Sequence, residues 1–473
     1  MELNKLGVIS AVKGYADGEF TAKEMVESCL SNAEKYASKN AVIEIFEDAI
    51  LFAKKLDEKR ANGEKLGRLA GATIMIKDNI LVKGKKATAC SKFLKDFESI
   101  YTSTVVQKML DEDAIILGRT NMDEFSMGGD SKTSIYGITK NAICDSKTAG
   151  GSSSGSAVAV ALDMCSIALG TDAGGSSRIP AVYNGVCAVK PTLGLVSKHG
   201  VYAYATSFDA VCPIAKSVED CAYLLEIIAG NDSFDMTSTT ATDFDFTSKI
   251  EEYITGRVFG LERNITNEIK SSKYYAQFEK LLEFIKAYGG EIKEIEIDDV
   301  LLLDDAYKLI AYAEASSNLA RYDGLKYTTQ TADPKNAEEL YVKSRTEGFG
   351  EEVKRRIMMG NYILSKAGTY QKAKNFQQYL INQFEDKMQG VDCLLMPMTL
   401  DKAPESNDCS KNTIDAILGE FANVLKVPSI SIPYSFDIDG LSLGVQFVGK
   451  KNDEALLLNI ANFIQKKYKG GQK

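Results

Sequence analysis

Two serine-glycine loops lie one short segment apart in this chain, Gly-Gly-Ser-Ser-Ser-Gly-Ser at 150–156 and Gly-Thr-Asp-Ala-Gly-Gly-Ser-Ser-Arg at 170–178. Each loop falls where the hydrophobic pattern changes, which limits the folds open to the chain. The short apolar run 166–169 ends at Gly170 and reads as a strand, while the small apolar residues that follow the first loop, 154–164, begin a packed helix. Similar apolar runs at 72–77, 114–117 and 186–189 stand between glycines, with helical patterns separating several of them. Short strands alternating with helices predict an α/β sheet with parallel elements.

The rest of the chain fits that class. Thr21-Ala-Lys-Glu24 is a capping box preceded by Phe20, and Met25, Val26, Cys29, Leu30 and Ala33 follow on one helical face. A polar loop spans 230–249, an amphipathic helix lies near 265–288, and an alternating strand covers 291–297. Residues 305–388 are mostly helical in pattern, interrupted by Pro334, and a second polar loop covers 399–412. Runs at 428–434 and 441–449 flank an Asp-Ile-Asp-Gly turn and predict strand-turn-strand, with a final amphipathic helix at 453–467. With no internal repeat and no linker, the expectation is one domain over 1–473.

Composition excludes several function classes. The balance of 56 basic against 65 acidic residues, a net charge of −9, argues against a free-standing nucleic-acid binder. Nine scattered cysteines form no Cys-x-x-Cys pair, and no histidine sits at zinc-ligand spacing, so no metal site is expected. Free thiols, an N-terminus without a signal-peptide pattern and the absence of a spanning segment predict a cytoplasmic protein.

The chain has one histidine, His199, in an SKHG segment that reads as loop. Serine chemistry here would need another proton acceptor. Lys77 closes the apolar run Ile74-Met75-Ile76. It reads either as a paired structural charge beside Asp78 or as a base made neutral by desolvation. In the first loop, Gly150 and Gly151 allow a serine to be presented at a sharp turn. In the second, Ala173, Gly174 and Gly175 precede Ser176, and successive N–H groups in such a turn can form an oxyanion hole. A phosphate loop is disfavoured because neither segment has the Gly-Lys-Ser/Thr ending. Asp172 and Arg178 bracket Ser176 and either orient its loop or pair with each other.

Lys77, Ser152 and Ser176, separated by 75 and 24 residues and set in two glycine loops, resemble the catalytic residues of the amidase signature family. The stretches 118–129, 136–141, 185–220, 314–327, 351–365 and 421–433 extend the resemblance over nearly the whole chain, toward the glutaminase subunits of tRNA-dependent amidotransferases. Ala149, Ser154, Ser177 and Ile179 depart from the residues usual there. The resemblance implies a central mixed β-sheet covered by helices on both faces. It also implies a Ser-Ser-Lys triad, with Ser152 held by a cis peptide bond, that hydrolyses glutamine to ammonia. Arg356 and Tyr307 match positions used around glutamine, and an acid is expected near Asp415. Read without the resemblance, Arg356 is an exposed helix charge and Tyr307 a half-buried core ring. The resemblance further implies a heterotrimer with subunits B and C, misacylated tRNA held by the partner, and no cofactor in this chain. ATP and Mg2+ are expected in the partner subunit. The alternative is a stand-alone amidase acting on a small amide.

Overall fold

Apolar runs with side chains buried on both sides place most strands inside one large sheet. The structure, a computed structural model, describes residues 2–248, 250, 253–408 and 412–468. Its strands are β1 (Val42–Ile45), β2 (Thr73–Lys77), β3 (Ile115–Thr120), β4 (Ile167–Asp172), β5 (Cys187–Lys190), β6 (Ala210–Ala215), β7 (Val258–Glu262), β8 (Glu291–Ile295), β9 (Cys393–Pro397), β10 (Ser429–Phe436) and β11 (Ser442–Val448). They form an eleven-stranded sheet in the order β1-β3-β2-β4-β6-β5-β10-β11-β9-β7-β8. The β2–β3, β2–β4, β7–β8 and β7–β9 pairs are parallel, and the remaining neighbours are antiparallel. The sheet is therefore mixed. Alternate side chains of its central strands enter two separate cores: Ile74, Ile76, Ile116, Ile167 and Leu169 join one, and Met75, Ile115, Leu117 and Ala168 the other. Helices supply the far side of both cores.

The capping box forms as expected on the Ala22–Lys35 helix, and β10 and β11 pair antiparallel. The amphipathic stretch near 265–288 is two helices, Arg263–Ile269 and Tyr275–Ala287, separated by the turn at 270–274. The 305–388 region resolves into helices Leu303–Leu319, Ala337–Gly348, Glu351–Ser365 and Thr369–Lys387. Among the described residues no helix is long and apolar enough to cross a membrane. The eight described cysteines are free, seven of them buried and Cys144 partly exposed, while Cys409 lies outside the described residues.

Candidate active site

Parallel α/β sheets place ligands beyond the carboxyl ends of their strands, where side chains are presented by turns rather than consumed by the ladder. Lys77 is the last residue of β2, and Thr171 and Asp172 end the adjacent parallel strand β4. The two-residue period sends Lys77 to the same side as Met75, toward the core that holds the Ser154–Ala161 helix. That helix follows the first serine loop. Lys77 Nζ accordingly lies 2.6 Å from Ser152 Oγ. It is also 2.9 Å from Ser153 Oγ, 2.9 Å from Thr171 Oγ1 and 3.3 Å from the Thr171 carbonyl. The Gly151–Ser152 peptide bond is cis.

Lys77 is fully buried and forms no ion pair among the described residues. Burial pulls its pKa down to about 7, against a weaker opposing pull from Asp123 and Asp172. The surrounding donors fix how a neutral amine would sit. Ser153 Oγ donates to the Thr171 carbonyl at 3.0 Å, and Asn79 Nδ2 donates to Thr171 Oγ1 at 3.0 Å. Ser153 Oγ and Thr171 Oγ1 can then accept the two amine hydrogens, which leaves the lone pair facing Ser152. Neither Ser153 nor Thr171 was legible as a site residue: Ser153 is one of three successive serines, and Thr171 follows Gly170, where the apolar run ends.

The second loop is held by an internal ion pair. Arg178 Nη2 and Nε contact Asp172 Oδ1 and Oδ2 at 3.0 and 3.1 Å, and both side chains are fully buried. Burial alone would raise the Asp172 carboxyl, but the Arg178 guanidinium outweighs it and holds the group well below the carboxylate range. Asp172 also accepts the Gly175 and Ser177 amides at 2.9 and 3.0 Å. Arg178 reaches on to Gln446, Asn423 and the Gly419 carbonyl. The two open readings of this pair are thus both true, since the residues bind each other and, through that bond, shape the loop. One expected donor is diverted: the Gly175 N–H is committed to Asp172. The amides of Ala173, Gly174 and Ser176 make no hydrogen bond to a described residue. Ser176 is half-buried, its hydroxyl is likewise unengaged, and its carbonyl accepts the Ser153 amide at 2.9 Å, which joins the two loops.

The other wall is helical. A Cβ on Gly174 would meet the Tyr307 hydroxyl at 2.7 Å and Glu420 Cγ at 3.3 Å, so a larger residue there would have to displace the buried Tyr307 ring. Tyr307 stacks on Phe208 with centroids 5.1 Å apart. Arg356 is buried rather than solvated. Its Nη1 donates to the Tyr204 hydroxyl at 2.7 Å and its Nε to Glu352 at 2.7 Å, between the rings of Tyr204 and Tyr312. Asp415 does not join them. It accepts the Leu400 amide at 2.7 Å, near Asp401, at the start of the Thr413–Val424 helix. Glu420, five residues further along that helix, is the acid that faces the loop carrying Ser176, and sequence reading missed it. The departures are absorbed locally: Ser154 bonds Ser131 and Thr139, Ser177 approaches Ser153, the Ala149 carbonyl accepts Asn184, and the Ile179 side chain packs beside Gly175. His199 lies between Tyr101 and Phe234, away from these residues.

A strand-end lysine under two serine loops on a mixed sheet defines the class of Ser-Ser-Lys amide hydrolases. The chain belongs to the amidase family, whose model matches residues 24–458. The A subunit of glutamyl-tRNA(Gln) amidotransferase from Fusobacterium nucleatum is 42% identical to it, over 96% of this chain and 94% of that one. The A 2 subunit of the same enzyme from Clostridium acetobutylicum is 37% identical, over 98% and 100%. Among solved structures, that of the glutamyl-tRNA(Gln) amidotransferase A subunit from Thermotoga maritima superposes with a TM-score of 0.80 at 30% identity, over 99% of this chain and 96% of that chain. Peptide amidase from Stenotrophomonas maltophilia gives 0.84 at 26% identity, over 98% and 97%.

Proposed function

We propose that this chain is the glutaminase subunit of a glutamyl-tRNA(Gln) amidotransferase. The observation that carries the mechanism is the 2.6 Å contact between a fully buried lysine amine and Ser152. Neutral Lys77 takes a proton from Ser152 as Ser152 takes one from Ser176, and Ser176 Oγ attacks the side-chain amide carbon of glutamine. The free amides around Ala173, Gly174 and Ser176 receive the developing oxyanion. The proton returns through Ser152 to the leaving nitrogen, ammonia departs, and water releases glutamate from Ser176. Arg356 suits the substrate's α-carboxylate because a guanidinium fork matches it, with Tyr307 as the neighbouring wall. The names of the relatives support the biological role. In that reading the chain works in the cytoplasm with subunits B and C. The partner binds misacylated tRNA and uses ATP and Mg2+ to place the ammonia on Glu-tRNA(Gln).

The decisive experiment separates ammonia supply from ammonia use. Adding the partner subunits, ATP and Glu-tRNA(Gln) is expected to stimulate glutamine hydrolysis and yield Gln-tRNA(Gln). The Ser176→Ala complex is expected to lose the glutamine-dependent reaction and keep the ammonium-dependent one. Failure with ammonium in an intact complex would overturn the reading. A second reading, a stand-alone amidase for a small amide, draws on the similarity to peptide amidase. It requires full activity without partners.

A further inference from the structure

Strand β3 ends opposite the base: Thr120 is the partner of Lys77 in the parallel ladder, and just beyond it the chain meets the first serine loop. Asp123 stands at that meeting point and is fully buried. Its backbone N–H donates to the Ser152 carbonyl at 3.2 Å. Its carboxylate lies against the preceding residue of the loop, since a Cβ on Gly151 would stand 2.1 Å from Asp123 Oδ2. One residue thus meets the loop just before and just after the Ser152 α-carbon. The carboxylate is itself fixed. Oδ2 accepts the Gly129 and Ser131 amides at 2.9 and 3.3 Å, and Oδ1 accepts the Thr133 hydroxyl at 3.0 Å. These partners are all donors, which suits an ionised carboxylate. Burial pushes its pKa above the ordinary carboxylate value, and the Gly129 amide pulls hardest the other way.

We propose that Asp123 is a positioning residue of the proton relay, one that fixes the Ser152 hydroxyl against the Lys77 amine. This rests on the Ser-Ser-Lys reading above and goes further in saying what keeps that contact short. Ser152 follows two glycines, whose backbone would otherwise be free to turn the hydroxyl away. Asp123 ties that turn to the end of β3, the strand hydrogen-bonded to β2, so the lysine and the serine share one frame. Its charge has a second effect. After burial, Asp123 exerts the largest pull on Lys77, and the pull favours the protonated amine. The other groups acting on Lys77 are Asp172, which is bound to Arg178, Cys212, whose thiol burial keeps protonated, and Asp209, pushed up to about 7 by burial. Asp130 is the charged neighbour of Asp123 itself.

The test is Asp123→Asn on the full chain with its partners present. Asparagine keeps the shape: its carbonyl can take the Gly129 and Ser131 amides. Its NH2 can donate to Thr133 Oγ1, which then turns its own hydrogen to the Met127 carbonyl. Only the charge is lost. The protonated lysine then loses support, so its neutral form is reached earlier. The midpoint of the rate's rise, near pH 7 in the wild type, is expected to move to lower pH. A midpoint that stays in place or moves upward would overturn the assignment. Asp123→Ala removes the clasp as well as the charge. It is expected to lower kcat by about 10²-fold with KM for glutamine little changed. An unchanged kcat, or a loss confined to KM, would equally overturn it. Should the alanine variant fail to fold, the asparagine profile decides alone. Both readouts can be taken on any amide the enzyme cleaves. A wild-type rate with no rise through this range sinks the relay reading itself, whereas a wild-type rise with an unmoved asparagine midpoint sinks only the role of Asp123.

Discussion

The two walls of the site are built by different rules. On one side Lys77, Ser152, Ser153 and Thr171 sit at strand ends and in the turns that follow. They are fully or almost fully buried and linked by short hydroxyl and amine contacts, with no ion pair to Lys77 among the described residues. On the other side Tyr307, Arg356, Glu420 and Asp304 project from three helices and rely on charge, with Arg356 bound to Glu352 and Asp304 to Lys308. The proton-transfer wall needs a lysine that can lose its charge, so no carboxylate pairs with it directly among the described residues, and burial outweighs the pull of Asp123 and Asp172. The helical wall instead holds its charges in ion pairs, Arg356 with Glu352 and Asp304 with Lys308, while burial pushes the Glu420 carboxyl toward its neutral form. The difference teaches that one site can hold a neutral lysine and a charged arginine because the strand ends and the helices provide separate electrostatic surroundings.

The sharpest way to break this contrast is at Lys77. Lys77→Ala should lower glutamine hydrolysis by about 10²- to 10⁴-fold, and Lys77→Arg should do no better, since arginine cannot give up its proton. Burial sets the lysine's pKa near 7, so the working form, the neutral one, is the form that gains population as pH increases. The rate should therefore rise through about pH 7 and level off above it. Full activity in the arginine variant, or a rate that falls across that range, would refute the proton-accepting role.

Arg178 tests whether the second loop depends on its internal pair. Arg178→Ala leaves the Asp172 carboxylate buried without its partner, a loss of about 3–5 kcal/mol in stability measured by denaturant unfolding. A loss of under about 1 kcal/mol would show that the hydrogen bonds from Gly175 and Ser177 hold the loop unaided. Arg356 probes the helical wall. Arg356→Ala should raise KM for glutamine by about 10- to 150-fold, with a simple amide much less affected. Parallel losses on both amides would mean that the arginine mainly supports Tyr204 and Tyr312.

The strand-end half was far more legible in the sequence than the helical half. Glycine turns, a lysine closing an apolar run and a serine pair are local signals, readable within several residues. The break between Arg263–Ile269 and Tyr275–Ala287 falls at the polar run Lys270-Ser271-Ser272-Lys273, which the reading of one helix passed over. The commitment of the Gly175 amide to Asp172 was equally hidden, since a glycine-rich turn does not announce which of its N–H groups points inward.

The sequence by itself determined the class of fold and the two glycine-serine loops, because strand period and turn glycines are properties of neighbouring residues, while the resemblance to the amidase signature family singled out Lys77, Ser152 and Ser176. Tertiary structure alone decided which acid faces the loop that carries Ser176. Asp415 and Glu420 share one helix, and five residues on a turn of 3.6 put them on different sides of it. Only the packing of that helix against β4's loop and the Leu303–Leu319 helix turns Glu420 toward Gly174 and leaves Asp415 with the Leu400 amide.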